Sequence, residues 1–351
     1  MRVLAVNALI LLLGLVALEL VFGSWIRDNR IQHLNLITNQ FYVHDVSSLY
    51  DNAGSPVEYR RDAYGLRGDY DSPDQIDILT VGGSTTDQKF VSEGETWQDV
   101  LGDQFAADGR AISVVNAGVD GHSTVGHLRS FEWWFSNIPD LSPRYVLFYL
   151  GINDVHIESQ RRYDELTSRD KTVSAMESLR ERSGLYYGYR TLRAMFRAER
   201  RKASHQRVDF ERVVWVDAPI RQNHAARSAG RRLAYATRLT RLAELTRSLG
   251  AEPIFVTQLL VSSREVDGTV VGTQGTDTNG VDVYIITGLF NQTTMDTCRA
   301  LRAICVDLAT DLRPEFTDLD FYDFSHTTPS GAAKIGAYLY RSLRDELEFQ
   351  P

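Results

Sequence analysis

The sequence predicts an α/β fold built on a parallel sheet, and three observations carry that expectation. Short apolar, β-branched runs at 76–80, 112–115, 144–150, 253–257 and 304–308 read as buried strands. Amphipathic stretches at about 95–107, 124–136, 229–249 and 289–302 fall between them and read as helices. The first three runs each close on a tight turn: Gly82-Gly83-Ser84, Asn116-Ala117-Gly118 and Gly151-Ile152-Asn153. Strands that alternate with helices lie parallel and are covered on both faces. In such sheets the crevice at the carboxyl ends of the strands is where ligands bind.

The 351 residues are 43% hydrophobic and 24% charged, enough for a sizeable core. A formal net charge of −8 argues against nucleic acid as a partner, because no overall positive field attracts phosphates. Residues 3–22 are nearly all apolar, interrupted only by Asn7 and Glu19. About twenty such residues suffice to span a bilayer as a helix. Arg2 and the amino terminus then stay on the cytoplasmic side, which puts the bulk of the chain in the periplasm or outside the cell. The apolar run exceeds a signal h-region and no Ala-x-Ala-like site precedes Ser24, so residues 1–26 are read as a retained anchor. Secretion after signal cleavage is the alternative reading, and a buried core helix is a third, weakened by the lack of a solvent face.

Residues 27–75 carry aromatics and turn formers without a clear period and are read as a lead-in packed on the main domain, residues 76–351. Within that domain, 157–225 breaks the rhythm and reads as a helical insertion. Arg190, Arg193, Arg197, Arg200, Arg201 and Lys202 fall largely on one helical side, with Leu192, Met195 and Phe196 on another. A membrane-surface helix and the solvated face of an inserted hairpin are both open, and the second is favoured. Residues 266–288, rich in Gly, Thr and Asp, read as a long loop or hairpin over the sheet edge, hence a candidate lid. Cys298 and Cys305 are the only cysteines. With no histidines at matching spacing they cannot build a structural zinc site, and a disulfide and two buried thiols are equally open.

Nucleophilic serine catalysis needs a base, a carboxylate to orient it, and donors for the oxyanion. All four kinds of group stand at expected strand ends or loops. Ser84 follows the first strand, Gly118 the second and Asn153 the third, and the Asp323-Phe324-Ser325-His326 segment follows the fifth. The Asp-x-x-His spacing lets the carboxylate reach the imidazole nitrogen that does not face the serine. Thr328 as N-cap and Pro329 at the first helical position start a closing helix just beyond His326. His122 and His156 lack a carboxylate at an orienting spacing and are read as loop histidines bonded to backbone.

Gly82-Gly83-Ser84-Thr85-Thr86, Asn116-Ala117-Gly118, Gly151-Ile152-Asn153-Asp154 and Asp323-Phe324-Ser325-His326, in that order, resemble the four motif blocks of the SGNH hydrolases, the GDSL-type esterases and lipases. The likeness runs from about residue 60 to the C-terminus. The subgroup with an N-terminal membrane segment and a Gly-Leu-Arg-Gly-like lead-in, here 65–68, is the most similar. The resemblance implies a flavodoxin-like three-layer α/β/α sandwich with a parallel sheet of about five strands, no metal and no cofactor. It implies Ser84 as nucleophile, His326 as general base and acid, and Asp323 as its orienting carboxylate. The Gly118 N–H and the Asn153 amide, with the N–H of Ser84, then form the oxyanion hole. One departure stands out: Gly83 and Thr85 occupy the places of Asp and Leu in the usual Gly-Asp-Ser-Leu block. The expected activity is hydrolysis of an acyl ester, short-chain or O-acetyl, on a substrate such as an acylated glycan or lipid. An O-acyltransferase of a surface polysaccharide and a non-catalytic binding protein on the same fold are the alternatives.

Overall fold

The computed structural model describes residues 2–28, 30–157, 171–201 and 205–349. Of the expected insertion at 157–225, residues 158–170 and 202–204, Lys202 among them, lie outside the described residues. The chain divides into two compact units, one of residues 1–36 with 161–205 and the other of residues 37–160 with 206–351.

The first unit opens with α1, Arg2–Phe22, a helix of 21 residues none of which is buried. A 3₁₀ turn, Arg30–Leu34, follows. Two further helices, Lys171–Arg182 and Gly184–Arg201, complete its described elements.

The second unit begins with a hairpin, β1 (Gln40–His44) paired antiparallel with β2 (Val57–Arg61). β2 alternates buried and exposed side chains, placing Val57, Tyr59 and Arg61 inward. Its main sheet is built from β3 (Ile78–Gly82), β4 (Val114–Asn116), β5 (Tyr145–Tyr149), β7 (Glu252–Val256) and β10 (Ile304–Val306) in the order β10-β7-β5-β3-β4, all parallel. Every residue of β3 is buried, as expected of a strand covered on both faces. Counted among these five strands alone, the spatial order is 2-1-3-4-5, the flavodoxin-like winding, with its reversal between β3 and β5. Ser84 leaves β3 and Asn153 leaves β5, so the two flank that switch point. Helices Trp97–Ala107 and Pro329–Leu343 pack together on one face, where Trp97, Leu101, Phe105, Ile335, Leu339 and Leu343 join the strand residues Ile78, Leu147 and Ile254 in one core. Helices Thr124–Trp133, His224–Ser248 and Gly280–Ala300 contact one another in turn.

One helix starts where the sequence places it but takes a distant cap, and another starts earlier than expected. Ser123 occupies the N-cap of Thr124–Trp133 but makes no capping bond. The Thr124 N–H is instead taken by Asp154 Oδ2 at 3.0 Å, a partner thirty residues away in sequence. Of the two readings of 266–288, long loop and hairpin, the hairpin holds for its first part and a helix takes the rest. β8 (Ser263–Val266) and β9 (Thr269–Thr273) form a hairpin that pairs with β6 (Trp215–Val216), and a helix then starts at Gly280. That start comes nine residues before the expected 289 because Asn279 and Asp282 make a reciprocal capping box, which outweighs the poor helix propensity of the glycine and β-branched residues around it. The closing helix behaves as read: Pro329 is its first residue and the Thr328 hydroxyl accepts from Gly331 N–H. Cys298 and Cys305 are joined in a disulfide, their Cα atoms 5.9 Å apart.

Candidate active site

The turn that carries Ser84 is shaped by its glycines. Gly83 is the N-cap of the four-residue helix Ser84–Asp87, so Ser84 takes the first helical position directly at the end of β3. Its N–H belongs to the first turn, whose donors have no carbonyl behind them in the helix. A Cβ at Gly83 would lie 2.7 Å from Asn153 Nδ2 and 3.1 Å from the His122 carbonyl oxygen. Glycine is therefore required for the Asn153 amide to sit against this turn, which gives the departure from the Gly-Asp-Ser-Leu pattern a physical role. Gly118 is pressed against the other side of the turn: a Cβ there would lie 2.4 Å from Asp87 N.

Ser84, His326 and Asp323 form one continuous hydrogen-bonded line. His326 Nε2 lies 2.7 Å from Ser84 Oγ, and His326 Nδ1 lies 2.7 Å from Asp323 Oδ2. The other carboxylate oxygen, Oδ1, accepts from the backbone N–H groups of Ser325 and His326, both at 2.8 Å. Burial opposes ionisation of Asp323, but the His326 bond and charge and these two N–H donors outweigh it and hold the carboxyl below its ordinary value. An ionised carboxylate can only accept, so Nδ1 carries the imidazole proton and Nε2 is left to accept from the serine hydroxyl. The Tyr322 ring stacks on the imidazole with centroids 5.6 Å apart and an interplanar angle of 11°. Burial, with the Asp323 charge, keeps the Tyr322 phenol protonated far above its ordinary range.

The two expected oxyanion donors adjoin the serine turn, each with a partner. Asn153 Nδ2 donates to the His122 carbonyl oxygen at 2.8 Å, and the amide carries a second hydrogen. The Gly118 N–H donates to Asn116 Oδ1 at 2.8 Å. The structure thus joins Ser84, His326 and Asp323 by direct bonds, while Gly118 and Asn153 meet the turn by packing on Asp87 and Gly83.

Several buried polar residues that hold this arrangement are given no role in the sequence reading. Arg61 and Asp87 form an ion pair with side chains 2% and 6% exposed, and the Tyr59 hydroxyl donates to the same carboxylate at 2.8 Å. Arg61 also donates to the Gly118 carbonyl at 2.6 Å, so one guanidinium ties the serine turn to the Gly118 turn. Arg67 donates to the carbonyls of Asp87, Gln88 and Val91 and pairs with Glu93. It stands within the Gly-Leu-Arg-Gly segment, which is the signal that marks it. Gln258, two residues past β7, donates to Thr85 Oγ1 at 2.7 Å and accepts from Ile152 N at 2.8 Å, bridging the serine and asparagine turns. Asp154 accepts from Thr124 and from Arg238 at 3.2 Å, and although these partners favour its charge, complete burial raises its pKa.

Two cavities of ≈1070 and ≈930 Å³ open on either side of Phe210 and Thr317. Tyr322 lines the first, and the β8–β9 hairpin lines the second; Ser84 lines neither. The hairpin, read from the sequence as lying over the sheet edge, is thus a wall of the second cavity.

Residues 80–252 match the GDSL-like lipase/acylhydrolase family, and the matched segment carries the serine turn, the Gly118 turn and the Asn153 turn. This is a GDSL-family hydrolase domain. The GDSL domain is an ester hydrolase, and Asp323 and His326 lie beyond the segment matched. Solved structures similar to this chain include a catalytic variant of Axe2, an acetylxylan esterase from Geobacillus stearothermophilus, at 14% identity and TM-score 0.44 over 76% of this chain and 94% of that one. A lipolytic G-D-S-L family protein from Veillonella parvula matches at 14% identity and TM-score 0.43 over 78% and 100%. The esterase EstA from Pseudoalteromonas sp. matches at 12% identity and TM-score 0.42 over 76% and 96%. No curated protein sequence matches this chain.

Proposed function

We propose that this GDSL-family domain cleaves acyl esters through Ser84, His326 and Asp323. The observation that carries the reading is the line Ser84 Oγ, His326 Nε2, His326 Nδ1, Asp323 Oδ2, with 2.7 Å at each of its two hydrogen bonds. Ser84 Oγ attacks the ester carbonyl carbon as its proton passes to His326 Nε2. The imidazolium formed is stabilised by the ionised Asp323. The developing oxyanion is held by the Ser84 N–H and the second Asn153 amide hydrogen, with the Gly118 N–H shared between Asn116 Oδ1 and the oxyanion. His326 then protonates the leaving alcohol, the C–O bond breaks, and water activated by the same imidazole releases the acid and restores Ser84. Short-chain and O-acetyl esters of glycans or lipids are the substrates this reading favours.

The domain is further read as held outside the cytoplasm by α1, whose 21 residues have a mean hydropathy of 2.5 over the most apolar window. The Cys298–Cys305 disulfide supports that placement, since such bonds persist in oxidising compartments. The catalytic reading is tested with a short-chain nitrophenyl ester and the full chain in detergent: turnover is expected, with loss of roughly 10⁴-fold or more in Ser84→Ala, as for removal of a triad member. Turnover unchanged in Ser84→Ala would remove the assignment. Adding an oligosaccharide separates hydrolysis from transfer: acid release unaffected by the sugar is expected here, and acylated sugar accumulating instead would make the protein a transferase. An alkaline phosphatase fusion at residue 60 is expected to be active, and an inactive one would place the domain in the cytoplasm.

A further inference from the structure

Helix Gly184–Arg201 carries an exposed apolar stripe that the catalytic reading leaves unused. Leu185, Tyr189, Leu192 and Phe196 recur at spacings of four, three and four and are 41%, 57%, 58% and 66% exposed. At about 100° per residue they fall within roughly 60° of one another on the helix surface. Arg193 stands beside the stripe and is exposed as well, whereas Arg190 lies round toward the His33 side, its guanidinium 3.5 Å from the His33 carbonyl oxygen. On the opposite side of the helix, Tyr187 packs edge-on against His33 of the Arg30–Leu34 turn, with centroids 4.8 Å apart. The helix is thus supported on one face and bare on the apolar one.

Its N-terminus is tied to the end of α1. Glu19, the only acidic residue of α1, lies in its last turn. Its carboxylate accepts from Ser183 Oγ at 2.6 Å, from Gly184 N–H at 3.0 Å and from Leu185 N–H at 3.3 Å. The two N–H groups are first-turn donors that a helix leaves unpaired, so the charge that interrupts the apolar run serves as the cap of the second helix. Trp25 Nε1 donates to the same carboxylate at 2.9 Å. Gly184 is in contact with the Phe22–Gly23 backbone, where a Cβ would lie 2.7 Å from Phe22 C.

We infer that Gly184–Arg201 lies in the surface of the bilayer that α1 spans, with the stripe sunk to the headgroup–acyl boundary and Arg193 beside it against anionic lipid headgroups. The inference rests on the reading of α1 as an anchor. Its cap on Glu19 starts the helix at the level where α1 ends, and the exposed Trp25 and Ile26 stand at the same level. The sequence is too rich in arginine to cross hydrocarbon, while an apolar face flanked by basic residues is the pattern of an interfacial helix.

The test uses the full chain in vesicles of phosphatidylcholine and phosphatidylglycerol. The two native cysteines are joined in a disulfide and no free cysteine is present, so a single introduced thiol takes an environment-sensitive dye alone. Labels at Leu185→Cys, Tyr189→Cys, Leu192→Cys and Phe196→Cys are expected to emit to the blue and to be quenched by lipid-borne quenchers. A label at Thr191→Cys, on the far side, is expected to emit as in water. Replacing phosphatidylglycerol by phosphatidylcholine is expected to reduce the shift. Aqueous emission at all five sites would overturn the inference, as would failure of the chain to stay with the vesicles after carbonate washing, which removes the anchor itself. In nanodiscs holding one chain each the blue shift is expected to persist; its loss there and return with two chains per disc would assign the stripe to a second copy and refute the lipid reading. Nitrophenyl ester turnover, measured on the same labelled samples, reports the catalytic reading separately.

Discussion

Replacing Asp323 by asparagine tests the orienting role most sharply, because the surrounding bonds dictate which way the amide must face. Oδ1 accepts two backbone N–H groups, from Ser325 and His326, each at 2.8 Å. An asparagine must keep its oxygen there and present its NH₂ to His326 Nδ1. That nitrogen must then accept, the proton moves to Nε2, and Nε2–H points at Ser84 Oγ, where it cannot take the hydroxyl proton. The loss expected from a wrong tautomer of this kind is about 10³–10⁴ in kcat, or ~4–5.5 kcal/mol at ~1.36 kcal/mol per decade. Asp323→Ala, which forces no tautomer, is expected to lose no more than Asp323→Asn. The assay is steady-state turnover of a nitrophenyl ester. A fall of less than tenfold in Asp323→Asn, with fold intact by circular dichroism, would refute the orienting role.

The same carboxyl sets a pH dependence of stability. Its pKa in the folded chain lies below the ordinary value, so the unfolded chain binds its proton first as pH falls through roughly 4. The stability it contributes is full above that range and is lost as pH falls through the lower, folded value. The gap in urea midpoint between the wild type and Asp323→Asn is therefore expected to be larger at pH 7 than at pH 3, and an equal gap at both would contradict the assignment.

Asn153→Ala is expected to lower kcat by about 10²–10³ with little change in KM, as for loss of one oxyanion donor. Gly83→Ala places a methyl 2.7 Å from the Asn153 amide nitrogen and is expected to lose activity on the same order; added to Asn153→Ala it should cost little more, since both act on one group. A double variant showing the full product of the two losses would argue against that coupling. Arg61→Met leaves the Asp87 carboxylate buried without its cation and is expected to destabilise by ~3–5 kcal/mol, read as the urea midpoint. Arg61→Met with Asp87→Asn should recover part of it, and a double variant no better than the single would point to lost packing instead.

What the sequence determined by itself was the α/β class, the parallel sheet and the three residues that the structure joins in one hydrogen-bonded line, Ser84, His326 and Asp323. Each of these is written in local signals: apolar runs of strand length, glycines where the chain must turn, and Asp323 three residues before His326 on one loop. Local chemistry was also available at 279–282, where the Asn-x-x-Asp capping box starts the helix that composition alone disguised. Other features had no local trace. Arg61 finds Asp87 twenty-six positions on, and Gln258 finds Thr85 across a separation of 173, so their burial depends on strands that only the folded sheet brings together. The Cys298–Cys305 bond depended on whether a helix end and a strand start come within 5.9 Å, which spacing cannot say. Glu19, an apparent flaw in an apolar helix, acquired its role as a cap only once Ser183 and Gly184 were placed beside it. Tertiary structure decided these because a buried charge or amide is tolerated only where distant partners satisfy it, and a one-dimensional pattern does not record which partners arrive.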